Sequence, residues 1–362
     1  MIDRLRIQAS RRQLMLAALA TMAWRPVFAQ DPSVRNRELY LYKGADREAR
    51  LLEGAKKEGP VSIYTSLNTR DSGPLTQAFE KKYGVKTLLW RSSSEKVLQR
   101  AVTEARAGRF LCDVMETNGP EMEAMFREKL LAEFHSPEFK DIAPSAFPKH
   151  RHYVATRFNF FVIGYNTKLV KPEEVPNSYL DLAHARFSGR VGLEAGDTDW
   201  FAAIVKSMGE EKGLGFMRQL AANKPQMRTG HTLLAELLGS GEIPLAATIY
   251  NHNIEKMMVR GAPVKWKALT PTFGRPNAVG VAARAPNPHG ALLFADFILS
   301  QQGQTMLRDM NRVPSSTAVD TNLNKFPFEM IDPIITLDES EKWDKLWSQL
   351  FLGGQKVQKE GD

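Results

Sequence analysis

Residues 61–114 read VSIYTSLNTRDSGPLTQAFEKKYGVKTLLWRSSSEKVLQRAVTEARAGRFLCDV and alternate short apolar runs with longer amphipathic segments. The runs at 61–64, 85–90 and 111–114 predict β-strands, because each is short, apolar and bounded by polar or glycine-containing sequence. The segments between them repeat apolar residues at helical spacing and predict helices. Strands that alternate with helices are joined by right-handed crossovers, so this stretch predicts an α/β fold with a mostly parallel sheet.

The same alternation returns in the second half of the chain. Apolar runs at 160–166, 189–194 and 243–250 predict further strands, and the segments at 231–238 and 289–300 have the periodicity of helices. A chain of 362 residues is too long for one core, so the two sets of elements predict two lobes.

The first thirty residues have the pattern of an export signal. Arg11 and Arg12 precede an apolar run at 14–24, and Val27-Phe28-Ala29 has the small-residue spacing of a cleavage site. The apolar run is too short to span a bilayer, which requires about 20 residues. The paired arginines and Arg25 favour a twin-arginine signal, with the general secretory route as the alternative.

The predicted signal therefore covers residues 1–29, and the mature protein is expected to start near Gln30. No cysteine follows the apolar run at a position suited to a lipid anchor. We expect a soluble protein that is exported to the periplasm.

The overall charge argues against a nucleic-acid partner. The chain has 49 Lys and Arg against 41 Asp and Glu, a formal net charge of +8, and five Arg and one Asp of this total lie in residues 1–29. The remaining charge of about +4 is mild, and no run of Lys and Arg is interleaved with aromatic residues. We expect at most a weak attraction to anions.

Catalytic and metal-binding motifs are missing from the sequence. Cys112 is the only cysteine, so no internal disulfide forms, and its apolar neighbours predict a buried thiol. The sequence has no nucleophile elbow, zinc-protease motif, phosphate-binding loop or dinucleotide fingerprint. We therefore predict that the protein is not an enzyme and uses no cofactor.

Five motifs, taken in order, resemble one family. They are Ile63-Tyr64-Thr65-Ser66, Glu116-Thr117-Asn118-Gly119-Pro120-Glu121-Met122, Phe161-Val162-Ile163-Gly164-Tyr165-Asn166-Thr167, Asp197-Thr198-Asp199-Trp200 and Ala295-Asp296-Phe297-Ile298-Leu299-Ser300-Gln301-Gln302-Gly303-Gln304. Together they resemble the bacterial extracellular solute-binding proteins of ABC importers, in the iron(III)-transport-type branch. The resemblance covers roughly residues 45 to 320, and the last motif is the most diagnostic.

The resemblance implies a type 2 periplasmic-binding fold, in which two α/β lobes with a mostly parallel sheet each are joined by two crossing segments. The crossings would lie near residues 157–160 and 269–273. The implied boundaries are 45–158 and 269–315 for lobe 1, 159–268 and 316–352 for lobe 2, and a flexible tail at 353–362.

The implied function is that of a periplasmic substrate-binding subunit, which closes two lobes around a small polar solute and docks on an ABC permease in the inner membrane. The protein would act as a monomer. A sensor module that presents its ligand to a receptor is an alternative that the sequence leaves open.

In proteins with open parallel sheets, solutes bind beyond the carboxyl ends of the strands. The loops that follow the predicted strands therefore supply the candidate residues. Arg70, in a polar loop before a helix opened by Pro74, could bind a carboxylate or phosphonate. Trp200 with Asp199 could hold an amine by cation–π contact and charge. The full predicted set is Ser66, Asn68, Thr69, Arg70, Ser93, Ser94, Glu116, Asn118, Asp197, Asp199, Trp200, Tyr250, Asn251 and His252.

The choice between iron and an organic solute depends on Tyr250. The resemblance implies that ferric members of the family hold the metal with two adjacent tyrosines at this strand end, whereas this chain has Ile249 before Tyr250. Hard Fe(III) needs several anionic oxygen ligands. We therefore predict an anionic or zwitterionic organic solute and no metal ligand. A ferric receptor that uses Tyr250 is the alternative.

Overall fold

The computed structural model describes residues 31–355. The predicted export signal at 1–29 and the end of the predicted tail lie outside these residues. The strands are β1 (Val61–Thr65), β2 (Thr87–Arg91), β3 (Val114–Asn118), β4 (Leu131–Ala132), β5 (Val154–Asn166), β6 (Val191–Glu194), β7 (Gln226–Arg228), β8 (Leu245–Tyr250), β9 (Val264–Lys267), β10 (Thr272–Ala282), β11 (Val313–Pro314) and β12 (Phe328–Met330).

Helices separate most of these strands. They are α1 (Pro32–Tyr40), α2 (Arg47–Lys57), α3 (Thr69–Tyr83), α4 (Ser94–Arg106), α5 (Gly119–Arg127), α6 (Thr198–Met208), α7 (Glu210–Ala222), α8 (His231–Ser240), α9 (Asn251–Val259), α10 (Pro288–Leu299), α11 (Gln301–Asp309), α12 (Pro333–Asp338) and α13 (Ser340–Phe351).

The main strands follow the order β2-β1-β3-β10-β5-β8-β6-β7. Strand β1 is parallel to β2 and β3, and β6 is parallel to β7 and β8. Strands β5 and β10 are antiparallel to each other and lie between these two parallel groups. The sheet therefore consists of two parallel parts linked by one long antiparallel pair.

The buried apolar side chains form separate clusters on either side of this pair. The first core gathers residues from β1, β3 and α10, including Val61, Val114 and Phe297. The second core gathers residues from β6, α6 and α13, including Trp200 and Trp347. A third, smaller cluster packs between α8, α9 and the neighbouring strands.

The pair β5 and β10 passes from one core to the other. On β5, Phe160 packs in the first core and Phe161 in the second, while on β10 Phe273 packs in the second core and Ala278 in the first. Leu269, at the start of the predicted return crossing at 269–273, also belongs to the second core. The lobe boundaries as a whole stay a prediction.

Two elements begin at residues other than those predicted. Strand β3 starts at Val114 rather than at residue 111, because it pairs with β1 from Ile63 onward. Helix α3 starts at Thr69, five residues before Pro74, because the Asn68 side chain caps it by accepting a hydrogen bond from the Arg70 N–H at 2.9 Å. The hydrophobic pattern of the sequence predicted that these two elements exist but not the residues at which they begin.

Candidate functional site

A cavity of about 270 Å³ lies between the starts of α3, α8 and α9, and we call it the basic cavity. Its walls come from elements of different cores, since α3 packs in the first core and α8 and α9 in the third. The lining residues are Asn68, Arg70, Asp71, His231, Thr232, Ala235, Glu236, His252, Asn253, Lys256, Met257, Arg260, Met310, Asn311 and Arg312.

Local helix geometry directs the charged side chains into this cavity. The Asn68 cap starts α3 so that Arg70 and Asp71 lie in its first turn. His252 and Lys256 on α9, and Arg260 at its C-cap, are spaced four residues apart, and residues at this spacing share one helix face. The start of α3 and one face of α9 therefore present their charged residues to the same space.

Asp71 holds two cations at the centre of the basic cavity. Its Oδ2 lies 2.9 Å from Lys256 Nζ and 2.7 Å from Arg312 Nη2. Burial alone would raise the pKa of the Asp71 carboxyl, but Arg312 and Lys256 lower the pKa below its usual range. Because Lys256 is on α9 and Asp71 on α3, the ion pair links the two walls of the cavity.

A second charged cluster surrounds Arg275, which lies on the crossing strand β10. Its guanidinium donates to Asp199 Oδ2 at 2.6 Å, to Asp197 Oδ1 at 3.0 Å and to the Tyr250 hydroxyl at 2.5 Å. Asp197 and Asp199 lie at the start of α6, and Tyr250 ends β8. Arg275 is only 7% exposed, so these charge-assisted bonds compensate for its burial.

His231 and Glu194 extend this cluster towards the basic cavity. His231 Nε2 lies 3.1 Å from Asp197 Oδ2, and the imidazole stacks on the Tyr250 ring with 4.0 Å between centroids. Burial alone would lower the pKa of His231, but Asp197 raises it above the usual value. Burial, and then the charge of Asp197, raise the pKa of Glu194 to about 7.

A small cavity of about 30 Å³ adjoins this cluster, and we call it the acidic pocket. Acidic side chains dominate its wall. The lining residues are Asn118, Pro120, Glu121, Glu194, Gly196, Asp197, Thr198, Asp199, Arg275 and Thr336. Its volume suits one or two atoms of water size.

The structure brings together about half of the predicted site residues. Three of them, Asn68, Arg70 and His252, line the basic cavity, and Asn118, Asp197 and Asp199 line the acidic pocket. Tyr250 contacts His231, which lines the basic cavity, and Arg275, which lines the acidic pocket, so it lies between the two spaces.

Other predicted residues make structural contacts instead. Trp200 is fully buried in the second core, with its ring edge against Tyr179, so it lies away from both spaces. Glu116 is bound by Arg157 and Thr65, and the Asn251 side chain donates to the Leu323 carbonyl at 2.6 Å. We leave these three residues out of the proposed site.

The remaining predicted residues lie outside the linings of the two spaces. The Ser66 hydroxyl is buried and accepts a hydrogen bond from Thr117 at 3.0 Å, and Thr69 is exposed on α3. Ser93 caps α4, and Ser94 is the first residue of that helix. Their contact with a solute stays a prediction.

Sequence reasoning missed several charged residues of the site. Arg275 had a usable signal, because it is the one charged residue of strand β10 and a buried charge must have partners. Lys256 and Arg260 could have been found from their four-residue spacing after His252. The pairing of Asp71 with Arg312 joins residues 241 apart and had no local signal.

A cavity of about 380 Å³ lies beside α6 and α12. Its wall includes Ala202, Phe273 and Ile331, and Lys206 pairs with Glu339 at 2.5 Å among the lining residues. Solute sites combine an apolar wall with several converging polar groups. We do not place an anionic solute here, because Lys206 is the one cation among the lining residues that the structure describes and it is paired with Glu339.

Comparison with known proteins identifies the family. Residues 116–340 match the family of bacterial extracellular solute-binding proteins, and the chain belongs to it. It is 25% identical over 291 residues to iron uptake protein A1 of Synechocystis sp., which covers 74% of this chain and 79% of that protein. It is 27% identical over 249 residues to a candidate 2-aminoethylphosphonate-binding periplasmic protein of Salmonella paratyphi A, which covers 65% and 70% respectively.

Solved structures confirm the predicted fold. Iron-bound HitA from Pseudomonas aeruginosa superposes with a TM-score of 0.72 at 18% identity, covering 81% of this chain and 99% of that one. AfuA from Actinobacillus pleuropneumoniae with bound fructose-6-phosphate superposes with a TM-score of 0.71 at 21% identity and the same coverage. The chain has the α/β type 2 periplasmic-binding fold. Within residues 31–355, no helix is both long and apolar enough to cross a membrane.

Proposed function

We propose that this solute-binding protein captures a small anionic or zwitterionic organic solute in the basic cavity, as the periplasmic receptor of an ABC importer. The charge of that cavity is the observation that carries the proposal. Four cationic side chains, Arg70, Lys256, Arg260 and Arg312, face two acidic ones, Asp71 and Glu236.

The arrangement suits a phosphonate, phosphate or carboxylate group. Arg312 is buried and Lys256 half-buried, and both hold Asp71, so a solute anion that binds beside this ion pair is shielded from water and interacts more strongly than at the surface. Guanidinium groups can bind such anions through two parallel hydrogen bonds. A cavity of about 270 Å³ lies just below the usual range for drug-sized ligands and fits a small metabolite.

A zwitterion would use the acidic members of the same cavity. Its ammonium group would pair with Asp71 or Glu236 while its anionic group binds the arginines and Lys256. Both charged groups of a zwitterion could therefore bind within the basic cavity, and no contact with the acidic pocket is needed.

Capture would proceed by hinge closure. Lys256 and Asp71 come from different walls, and so do Arg312 and His252, so the closed cavity is stabilised by bonds across the gap. A solute that binds between the walls adds to these bonds and shifts the population towards the closed state.

The names of the relatives support a small charged solute. They include an iron uptake protein and a candidate 2-aminoethylphosphonate-binding protein, and AfuA holds fructose-6-phosphate. Two of these three ligands carry an anionic phosphorus group, in agreement with the charge of the basic cavity.

Ferric ion is the second candidate, favoured by the name of the iron uptake relative and by Tyr250. The surroundings of Tyr250 argue against it. Its hydroxyl accepts a hydrogen bond from Arg275, and a guanidinium at 2.5 Å competes with a metal cation. Ile249, at the place of a second tyrosine, is fully buried in the third cluster.

A thermal-shift screen of the purified protein tests the proposal, because a bound ligand raises the unfolding temperature by mass action. The screen would compare aminophosphonates, phosphate esters, carboxylates, amines and ferric citrate. We expect an anionic compound to raise the melting temperature and the double variant Lys256→Gln/Arg260→Gln to lose the response.

The matched control is Lys265→Gln/Arg218→Gln, which removes two exposed cations away from the cavity. It should keep the full response. A response that only amines or ferric citrate produce, or one that the cavity variant retains, would overturn the proposal.

The cellular setting is also part of the proposal. We propose export through the twin-arginine route, followed by docking of the soluble monomer on an inner-membrane permease. Arg11→Lys/Arg12→Lys should leave precursor in the cytoplasm, and an unchanged periplasmic yield would reject this route. Permease and ATPase genes beside this one would favour the importer over the sensor module.

A further inference from the structure

We propose that Glu194, Asp197 and His231 form a binding site for one divalent transition-metal ion beside the basic cavity, which His231 also lines. Each residue offers one ligand atom, and the three atoms lie within 4.8 Å of one another. His231 Nε2 and Asp197 Oδ2 are 3.1 Å apart, a separation typical of two ligands on the same ion at about 2.1 Å from each.

The ligands are held in place by a second set of hydrogen bonds. Glu194 Oε2 accepts the Gly196 N–H at 2.7 Å, and Oε1 accepts the Gly230 N–H at 3.0 Å. The stacking of His231 on Tyr250 fixes the plane of the imidazole. A carboxylate oxygen keeps lone-pair capacity after accepting one hydrogen bond, so these contacts orient the ligands without blocking them.

The charge around the site calls for a cation. In the acidic pocket, Glu121, Glu194, Asp197 and Asp199 face one cationic side chain, that of Arg275. Arg275 binds the Asp197 oxygen Oδ1, which leaves Oδ2 directed at His231. The acidic pocket, of about 30 Å³, is lined by both carboxylates, and His231 contacts Asp197 from the lining of the basic cavity.

The donor set indicates the class of metal. One imidazole nitrogen and two carboxylate oxygens suit Zn²⁺ or Mn²⁺, whereas Ca²⁺ and Mg²⁺ prefer oxygen alone. Glu194 is 2% exposed, Asp197 0% and His231 5%, so the ion would enter only when the walls of the basic cavity move apart. Release to a chelator should therefore be slow.

Metal titration of the purified protein tests the site. After removal of metals with a chelator, Zn²⁺ or Mn²⁺ is added and binding is followed by calorimetry. We expect one ion per chain, with an affinity that falls at least tenfold in His231→Gln. The control is His150→Gln, since His150 Nε2 lies 3.0 Å from Glu123 but within residues 31–355 this pair belongs to no three-ligand group.

The unaltered protein gives a second measurement in case His231→Gln does not fold. Anomalous diffraction from Zn²⁺-soaked crystals would locate the ion between the three ligands. Failure of the unaltered protein to bind one ion, an ion at another position, or equal losses in the two histidine variants would overturn the site. Because His231 also lines the basic cavity, the two proposals are separated on the unaltered protein, where metal binding is read by calorimetry and anion binding by the thermal shift in metal-free buffer.

Discussion

Arg312 and His252 face each other across the basic cavity, with Nη1 of Arg312 2.8 Å from Nε2 of His252. Arginine only donates hydrogen bonds, so the imidazole nitrogen must accept and is unprotonated in this contact. Arg312 precedes β11, which pairs with β5 beside the first core, and His252 lies on α9. The Arg312 guanidinium therefore binds Asp71 on the wall beside the first core and His252 on the opposite wall.

Arg312→Met should destabilise the protein strongly. It leaves the buried Asp71 with Lys256 as its remaining cation, and removal of one partner from a buried ion pair costs about 3 kcal/mol or more. Urea unfolding measures the loss. Arg308→Met is the control, because its ion pair with Asp309 is exposed and should contribute less than about 1 kcal/mol. Equal losses would contradict the assigned role of Arg312.

Acid should weaken the contribution of Asp71. Because Arg312 and Lys256 lower the pKa of this carboxyl in the folded state, its stabilising effect is complete above the unfolded value of 3.8 and is lost as the pH falls through the folded value. The difference in melting temperature between the unaltered protein and Asp71→Asn should thus shrink below about pH 4. A difference that grows at acid pH would contradict this sign.

Tyr250→Phe should cost stability but leave anion binding intact. It removes the hydroxyl that accepts from Arg275, a charge-assisted bond worth about 1.5–3 kcal/mol. Unfolding and the thermal-shift response to anions would be measured on the same sample. If the protein instead forms a coloured complex with ferric citrate that Tyr250→Phe abolishes, the ferric function is correct.

Cys112 should react slowly with thiol reagents in the folded protein. Its side chain is buried, its Sγ lies 3.1 Å from the Val114 carbonyl oxygen, and burial raises the pKa of the thiol well above its usual value. The reactive thiolate is therefore rare. Labelling should accelerate sharply in denaturant, and rapid labelling without denaturant would show that the thiol is accessible.

The order of elements could be predicted from the sequence because apolar runs mark buried strands. Residues 61–64 were predicted as a strand and β1 spans Val61–Thr65. The third strand was predicted at 111–114, but β3 spans Val114–Asn118, because the second half of this buried strand consists of polar residues. Glu116 is 2% exposed and bonded to Arg157, a partner that hydrophobicity does not reveal.

The site was less predictable than the fold because its charges pair over long separations. Asp197 and Asp199 were predicted as site residues, but Arg275, to which both bind, lies more than 70 residues later in the chain. Trp200 has the sequence context of a ligand contact, yet its side chain turns into the second core. Position in a loop indicates proximity to the site, and only packing determines which way a side chain points.

The crossing strands carry two guanidinium groups that are anchored to opposite halves of the molecule. Arg157 binds Glu116 beside the first core, and Arg275 binds Asp197 and Asp199 beside the second. In the hinge motion proposed above, each guanidinium would move together with its own carboxylates, so these ion pairs would stay intact, whereas the Lys256–Asp71 pair across the basic cavity would separate. The electrostatic cost of opening would then come from the contacts across the basic cavity, Lys256–Asp71 and Arg312–His252, and a bound solute would add to that cost.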